Sequence, residues 1–362
     1  MRRTPALIVG GGPAGATLAL QLARAGMPHL LVERTRETGD ALCGGFMSWH
    51  MLGMLKRLGV APETLNAETV MRVRLVTRDA VAEAPLPSPA RAVSRRRLDT
   101  VLLAAAASAG AVIERGLGVR GVADGVARLD DGACVRADAL FLASGKHDTR
   151  GLARPPEARG EDPTLGLRVR LAPGRALERL VGDAIELHLM KGGYAGLVRQ
   201  EDGSGNLCMA VRRSRLQAAG TPERLLDMLA GEQPALGERL ALRAPNSLVD
   251  AVANVPYGWR ATASTAGIFR LGDQAGVIPS LAGEGMAIAL ASALAATDAY
   301  RAGGPGAAVS FQQQFAARLQ RPIGIAAAAW HAGERPWLAS LAMRLAHLSP
   351  TLLPLLARAT RV

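Results

Sequence analysis

The feature that most constrains this chain is its first 33 residues. Ala6-Leu7-Ile8-Val9 is an unbroken apolar run, as a strand buried on both faces requires. Gly10-Gly11-Gly12-Pro13-Ala14-Gly15 follows and fits GxGxxG at Gly10, Gly12 and Gly15. Residues 16–25 then set Leu18, Leu22 and Ala25 on one side of a helix, which Gly26 ends. Leu30-Leu31-Val32 is a second strand and closes at Glu33. This is a β-α-β unit of about 30 residues. GxGxxG alone is a weak signal. Between a strand and a helix, with an acid closing the next strand, it is a strong one. The glycines let backbone approach a pyrophosphate, and the helix amino terminus stabilises its charge. Glu33 can accept hydrogen bonds from both ribose hydroxyls, and its charge opposes a 2′-phosphate. The site therefore suits FAD or NAD rather than NADP. Its candidates are Gly10, Gly12, Pro13, Ala14, Gly15, Glu33 and the adjoining Arg34.

A second motif lies about 260 residues on. Ile268-Phe269-Arg270-Leu271-Gly272 returns to the buried-strand pattern and delivers Asp273 at its end, where a ribityl chain would lie if the dinucleotide were FAD. Gly283-Glu284-Gly285-Met286 then opens a long helix whose free amides would face the flavin pyrimidine edge and stabilise a reduced, anionic flavin. Between the motifs the chain changes character. A helix is expected at 49–58, alternation at 70–93 ending in a proline-rich stretch from Pro85 to Pro89, and a long helix at 97–109 before Gly110. Short strands follow at 111–114, 117–123, 126–129 and 139–143. Residues 160–260 hold short alternating segments at 165–171, 185–190 and 207–212 and one helix near 222–230. The expected organisation is a discontinuous FAD-binding domain (1–70, 94–160 and 264–310), a substrate domain (71–93 and 161–263) and a helical tail (311–362).

Composition excludes several classes. With 362 residues and 49% apolar content, the chain has enough material for a large core and is not disordered. The net charge of +12 comes almost wholly from arginine, since only Lys56, Lys146 and Lys191 are lysines. The arginines are dispersed and aromatics are few, so nucleic acid is not an expected partner. Cys43, Cys134 and Cys208 are odd in number and lack metal-ligand spacing, so neither a disulfide framework nor a metal site is expected. No apolar run is long enough for a spanning helix, and the glycines at 10–12 break the resemblance of the amino terminus to a secretory signal. A cytoplasmic protein is expected.

These motifs together resemble the flavoprotein fold shared by p-hydroxybenzoate-hydroxylase-type monooxygenases and geranylgeranyl reductases, over most of residues 5–300. The resemblance implies FAD as cofactor, with a reduced nicotinamide nucleotide or another reductant as electron donor. It implies an α/β fold: a GxGxxG Rossmann-like FAD-binding domain, an interleaved mostly-β substrate domain and a helical carboxyl-terminal tail. The family arginine that contacts FAD a few residues before a Leu-Asp pair corresponds to Arg95, ahead of Leu98-Asp99, and backbone near Val119 has the same role. Cys43-Gly44-Gly45, Gly276 and Gly283-Glu284-Gly285 resemble the reductase branch. In 192–196, Gly-Gly-Tyr-Ala-Gly, only Tyr194 remains of the reductases' Tyr-x-Trp-x-Phe-Pro substrate motif. Where the hydroxylases carry Gly-Ala-Asp-Gly, this chain reads Ala143-Ser144-Gly145-Lys146-His147-Asp148, with Ser144 at the aspartate position. Asp148 is the residue that could compensate. Tyr257-Gly258-Trp259 only faintly echoes the Trp-x-Trp-x-Ile-Pro of flavin-dependent halogenases.

The catalytic candidates are Cys43, Tyr194 and His50: a thiol beside the flavin, a pocket phenol and an acid–base group. Each also has a packing reading, and Cys134 and Cys208 are expected to be strand-packing residues. The main expectation is an FAD-dependent oxidoreductase that reduces a carbon–carbon double bond of an apolar small molecule by hydride transfer. The alternatives are a monooxygenase that hydroxylates an aromatic or polyketide-like substrate through a C4a-hydroperoxide, and a non-catalytic flavin-binding redox sensor or partner subunit. The tail, with Trp330, Trp337 and leucines at 338, 341, 345 and 348 interrupted by Arg335, Arg344 and His347, reads either as a helix packed on the body or as a peripheral membrane contact through 330–362.

Overall fold

The computed structural model describes residues 1–349 and 351–362; Pro350 and the side chains of Ala346 and His347, part of the tail pattern, lie outside it. Two sheets carry the molecule. The strands are β1 (Arg2–Val9), β2 (Leu30–Glu33), β3 (Phe46–Met47), β4 (Val70–Val76), β5 (Val81–Ala92), β6 (Val112–Arg115), β7 (Val119–Ala123), β8 (Val126–Leu129), β9 (Cys134–Leu142), β10 (Thr164–Leu171), β11 (Ala184–Met190), β12 (Gly193–Arg199), β13 (Gly205–Arg212), β14 (Asp250–Val255) and β15 (Ile268–Arg270). The helices are α1 (Pro13–Arg24), α2 (Trp49–Arg57), α3 (Pro62–Leu65), α4 (Arg95–Ser108), α5 (Arg175–Val181), α6 (Arg213–Ala219), α7 (Pro222–Glu232), α8 (Pro234–Leu240), α9 (Gly285–Gly303), α10 (Ala308–Gly333), α11 (Pro336–Leu348) and α12 (Leu352–Ala359).

The first sheet runs β6-β2-β1-β9-β8-β7, with β15 also paired to β9. Its β6, β2, β1, β9 and β15 are parallel, registered at Val9↔Val32, Ile8↔Phe141 and Phe269↔Phe141. Helices α1, α4 and α9 pack on one another against this sheet. Leu18, Leu22, Leu98, Leu102 and Leu290 are almost wholly buried there, and Phe141 stacks on Phe269 at 4.6 Å. The strands read as continuous apolar runs because helices bury them. β9 begins at Cys134, five residues before the expected 139, because its first half pairs with the antiparallel ribbon β7-β8.

The second sheet runs β14-β10-β13-β12-β11-β4-β5-β3. It is antiparallel except where β11 meets β4 in parallel, Leu187 opposite Leu75. Alternation puts Ile185, Leu187 and Leu189 on one face of β11 and Glu186 and His188 on the other. The second face is covered by α5, α7 and α8, whose Leu177, Leu225, Leu229 and Leu236 close its core. β5 corrects one expectation. It continues through Pro85, Pro87 and Pro89 rather than ending there. β4 loses register there, passing from Val70 opposite Ala90 to Arg72 opposite Pro85, so Pro87 and Pro89 fall in an irregularity with no ladder partner, and β3 covers only Arg91 and Ala92 on the other side. The segment 160–260 also holds α5, α6 and α8 beside the one expected helix, and β12 and β14 beyond the expected strands. The tail is three helices, and the first begins at Ala308.

Candidate active site

A cavity of about 1420 Å³ runs from the GxGxxG turn, across the carboxyl ends of β1 and β15, to the Ile185-Leu187-Leu189 face of the second sheet. Ordinary small-molecule pockets hold roughly 300–1,000 Å³. This one has room for a dinucleotide and a second molecule.

The dinucleotide end is built by close backbone approach. Gly10 has φ +104°, and a Cβ there would sit 2.6 Å from the Ala143 carbonyl oxygen. A Cβ on Gly15 would lie 1.9 Å from the Gly10 carbonyl, so glycine there is what lets α1 pack on β1. Gly15 is thus a packing residue outside the cavity wall, while Gly10, Gly12, Pro13 and Ala14 line it. Helix α1 has no side-chain cap on Gly12, so its free amides face the cavity. Glu33 accepts the Gly11 amide through Oε2 at 2.7 Å, and the Thr35 amide and hydroxyl through Oε1 at 2.8 and 2.7 Å. A carboxylate oxygen has two lone pairs. Oε1 is therefore saturated, and Oε2 keeps one position for a ribose hydroxyl. Arg34 donates to His147 at 2.9 Å, and burial, Arg34 and Lys146 lower the imidazole pKa. Arg95 is held by Asp99 through two bonds, at 2.9 and 2.7 Å, with Nη2 at the mouth of Gly12. Val119 lines the same end.

The middle is held by the loop after β9. Ser144 donates to the His147 carbonyl at 2.8 Å. Gln274 donates to the Gly145 and His147 carbonyls, and Arg154 to those of Lys146 and Asp273. Asp148 lines the cavity and is paired with Arg154 at 2.8 Å and Arg159 at 3.5 Å. Asp273 lies 3.6 Å from the Lys146 ammonium. Burial opposes that charge, but Asp273 holds the Lys146 pKa above its ordinary value. Gly272, at φ +55°, packs against Ala14 and Ala289 and donates its amide to Ser292 at 2.9 Å.

At the far end, the Cys43-Gly44-Gly45 loop is pinned to β13. Buried Asn206 donates to the Cys43 and Gly44 carbonyls, both at 2.9 Å, and the Cys208 thiol donates to Cys43 at 3.0 Å. Cys208 is thus more than packing, and burial pushes its pKa up to about 12. Gly45 (φ +75°) has no space for a Cβ, which would meet the Val93 carbonyl at 2.7 Å. Gly283, Gly285 and Met286 line the cavity beside this loop, and α9 has no side-chain cap. Glu284 does not line it. It is fully buried behind the first turn of α9, paired with Arg361 from the chain's last turn. Its pKa is raised by burial, against the pull of Arg361. His50 lies outside the cavity wall as well, with Nδ1 3.9 Å from Glu284. Burial and then Arg318, Arg361 and Arg57 lower its pKa. The expected acid–base group thus lies outside the cavity lining, and its surroundings disfavour the imidazolium.

Cys43 and Tyr194 line the cavity. Tyr194 donates to Ser280 at 2.7 Å, and Tyr257 shares the same hydroxyl. Burial raises the pKa of both phenols, so they stay protonated. Each packs edge-on to Trp330, with ring centres 5.7 Å apart. This trio is the polar mark in a wall otherwise made by Val73, Leu75, Leu187, Leu189, Ile325, Ala329 and Leu353. Ser280 and Trp330 carry no local signal of such a role. Tyr257 stood out only as part of a faint halogenase echo.

Two uncapped helix ends, glycines with no space for a Cβ, a carboxylate with an open acceptor position at the end of β2 and a double-sized cavity all fit FAD. Comparison with known proteins agrees. Residues 3–149 match the FAD binding domain family. The chain is similar to the menaquinone reductase of Mycolicibacterium smegmatis, 28% identical over 327 residues, 83% of this chain and 77% of that one. Among solved structures it is similar to a probable FAD-dependent monooxygenase of Pseudomonas aeruginosa (TM-score 0.70, 17% identity, 94% and 99% of the two chains). It is similar to the flavin-dependent brominase Bmp2 (0.75, 15%, 99% and 93%). It is similar to a geranylgeranyl bacteriochlorophyll reductase-like protein of Thermoplasma acidophilum (0.68, 20%, 95% and 88%). Monooxygenases and halogenases share the fold as closely as the reductases do, so the reductase branch is not singled out. A dinucleotide cradle joined to this p-hydroxybenzoate-hydroxylase-like fold makes the chain an FAD-dependent oxidoreductase.

Proposed function

We propose that this enzyme hydroxylates an aromatic, phenol-type ring that carries an apolar chain. The observation that carries the reading is the Tyr194–Ser280–Tyr257 trio, set in an apolar wall that continues to α10, α11 and α12. Two phenol hydroxyls around the Ser280 oxygen offer both donors and acceptors to a ring hydroxyl, while the aliphatic wall suits a chain and excludes water. The binding of 2-aminobenzoylacetate by the Pseudomonas monooxygenase and the quinone in the name of the mycobacterial reductase support an aromatic or quinoid head. Bound FAD would supply the redox chemistry. Its adenosine end would rest on Gly11, Gly12 and Glu33, its ribityl chain beside Asp273, and its ring between the 43–45 loop and the amides of Gly283 to Met286. The protein's own part is to bind the phenol hydroxyl, proton in place, at the Tyr194–Ser280–Tyr257 trio and to keep the ring beside Cys43. A reduced nicotinamide nucleotide or another reductant would supply electrons.

A second reading is reduction of a carbon–carbon double bond, favoured by the Cys-Gly-Gly loop and by the similarity to menaquinone reductase. One assay separates them. The flavin-loaded enzyme is reduced chemically without air and given a long-chain alkylphenol or a polyprenyl quinone, then ¹⁸O₂. Product with one labelled oxygen is the expected result. A product still heavier by two hydrogens after its head is reoxidised to the quinone, formed without oxygen, would replace hydroxylation by double-bond reduction. No product with either, from enzyme that holds FAD, would remove both.

A further inference from the structure

The outer surface of the last two helices is at odds with a body surrounded by water. On α11, Ala339 and Met343 are buried and Ala342 lines the cavity, while Trp337, Leu341, Leu345 and Leu348 are exposed at helical spacing. Trp337 is 67% and Leu348 82% exposed. On α12, Leu353, Leu356 and Ala357 line the cavity, while Leu352 and Leu355 are also exposed. Large apolar side chains exposed at helical spacing mark a contact face. Its charge narrows the partner. Residues 335–362 contain Arg335, Arg344, Arg358 and Arg361 and no acidic residue. Arg361 turns inward to Glu284, whereas Arg335, Arg344 and Arg358 are exposed.

We infer that the α11–α12 face docks on an anionic lipid surface. Tryptophan and leucines would sink into the headgroup–acyl boundary while arginines meet phosphates, as interfacial amphipathic helices do. A second copy of the chain fits less well, because a two-fold contact brings this acid-free, arginine-bearing face against itself. No described helix is long and apolar enough to cross a membrane, so the contact is peripheral. The same two helices wall the distal cavity, so a lipid-borne substrate would enter from the docked side; that last step rests on the apolar-chain reading above, and docking itself does not.

The test is flotation of the flavin-loaded, full-length protein with vesicles, which reads binding and not turnover. Vesicles of phosphatidylcholine with phosphatidylglycerol should bind the protein about 10- to 100-fold more tightly than phosphatidylcholine alone, and salt should weaken the contact. Leu348→Glu should abolish flotation with flavin content unchanged. Arg344→Glu with Arg358→Glu should erase the preference for anionic lipid, and covers the case in which the leucine variant misfolds. Wild-type protein that floats with neither vesicle would overturn the inference, as would variants that float like the wild type. A wild-type dimer that ignores vesicles and is split by Leu348→Glu would assign the face to self-association and overturn it too.

Discussion

At the residue scale, the site depends on a few atoms with no room to move. Glu33 has one lone pair left for the cofactor, and its other contacts fix the turn that holds it. A hydrogen bond to a charged group is worth about 1.5–3 kcal/mol. Glu33→Arg should therefore weaken FAD binding about 10- to 100-fold, read as flavin absorbance per protein after gel filtration. A variant purified with full flavin would remove the ribose assignment. Tyr257→Phe leaves Ser280 bonded to Tyr194 but takes one hydroxyl from the trio. KM for a phenol should rise about fivefold, from the loss of about 1 kcal/mol, while chemical reduction of the flavin is unchanged. Equal KM values would detach the trio from substrate binding.

At the scale of elements, the second sheet is fixed by an ion cluster on the face away from the cavity. Glu186 on β11 meets Arg74 from β4 at 2.6 Å, Arg239 from α8 at 3.0 Å through both oxygens, and His188 at 3.1 Å. Burial works to raise the Glu186 pKa, but His188 and Arg239 overcome it and hold the group at about 2. The folded pKa lies below the ordinary value of 4.5, so the stabilisation is present above pH 4.5 and is lost as pH falls towards about 2. It amounts to about 3 kcal/mol. Glu186→Gln should lose a similar amount at pH 7, since it strands buried guanidinium charge. Urea unfolding should show the wild type converging on the variant between pH 4.5 and 2. A constant gap across that range would refute the assignment.

At the scale of the whole molecule, the chain's end is tied to its cofactor motif. Arg361 bonds Glu284 and the Ala282 carbonyl and lies 4.5 Å above the Trp49 ring. This one residue fastens α12, part of the distal wall, to the first turn of α9 beside the proposed flavin position. Arg361→Ala should leave Glu284 buried without its cation and free the last helix. The expected loss is about 2 kcal/mol, a Tm about 2–3 °C lower, with faster tryptic cleavage near Arg358. An unchanged cleavage pattern would mean that α12 is held by packing alone.

The local order of the sequence determined the β-α-β unit, the return strand to Asp273 and the helix from Gly285, because each is a short-range matter of apolar period and glycine placement. The acid at Glu33 was legible for the same reason, and the tail's two readings were both legible in its spacing. Other features needed the folded chain. β5 could run through three prolines because it slips register against β4 there and β3 leaves most of its other edge unpaired. Tyr194, Tyr257 and Ser280 come from three separate segments, and Asn206 and Cys208 reach the 43–45 loop across more than 160 residues. His50 is near the flavin loop in sequence but behind its wall in space. Sequence spacing assigns faces to elements, but only tertiary packing decides which faces meet. A cavity shared by two sheets and three tail helices is therefore written in no single stretch of the chain.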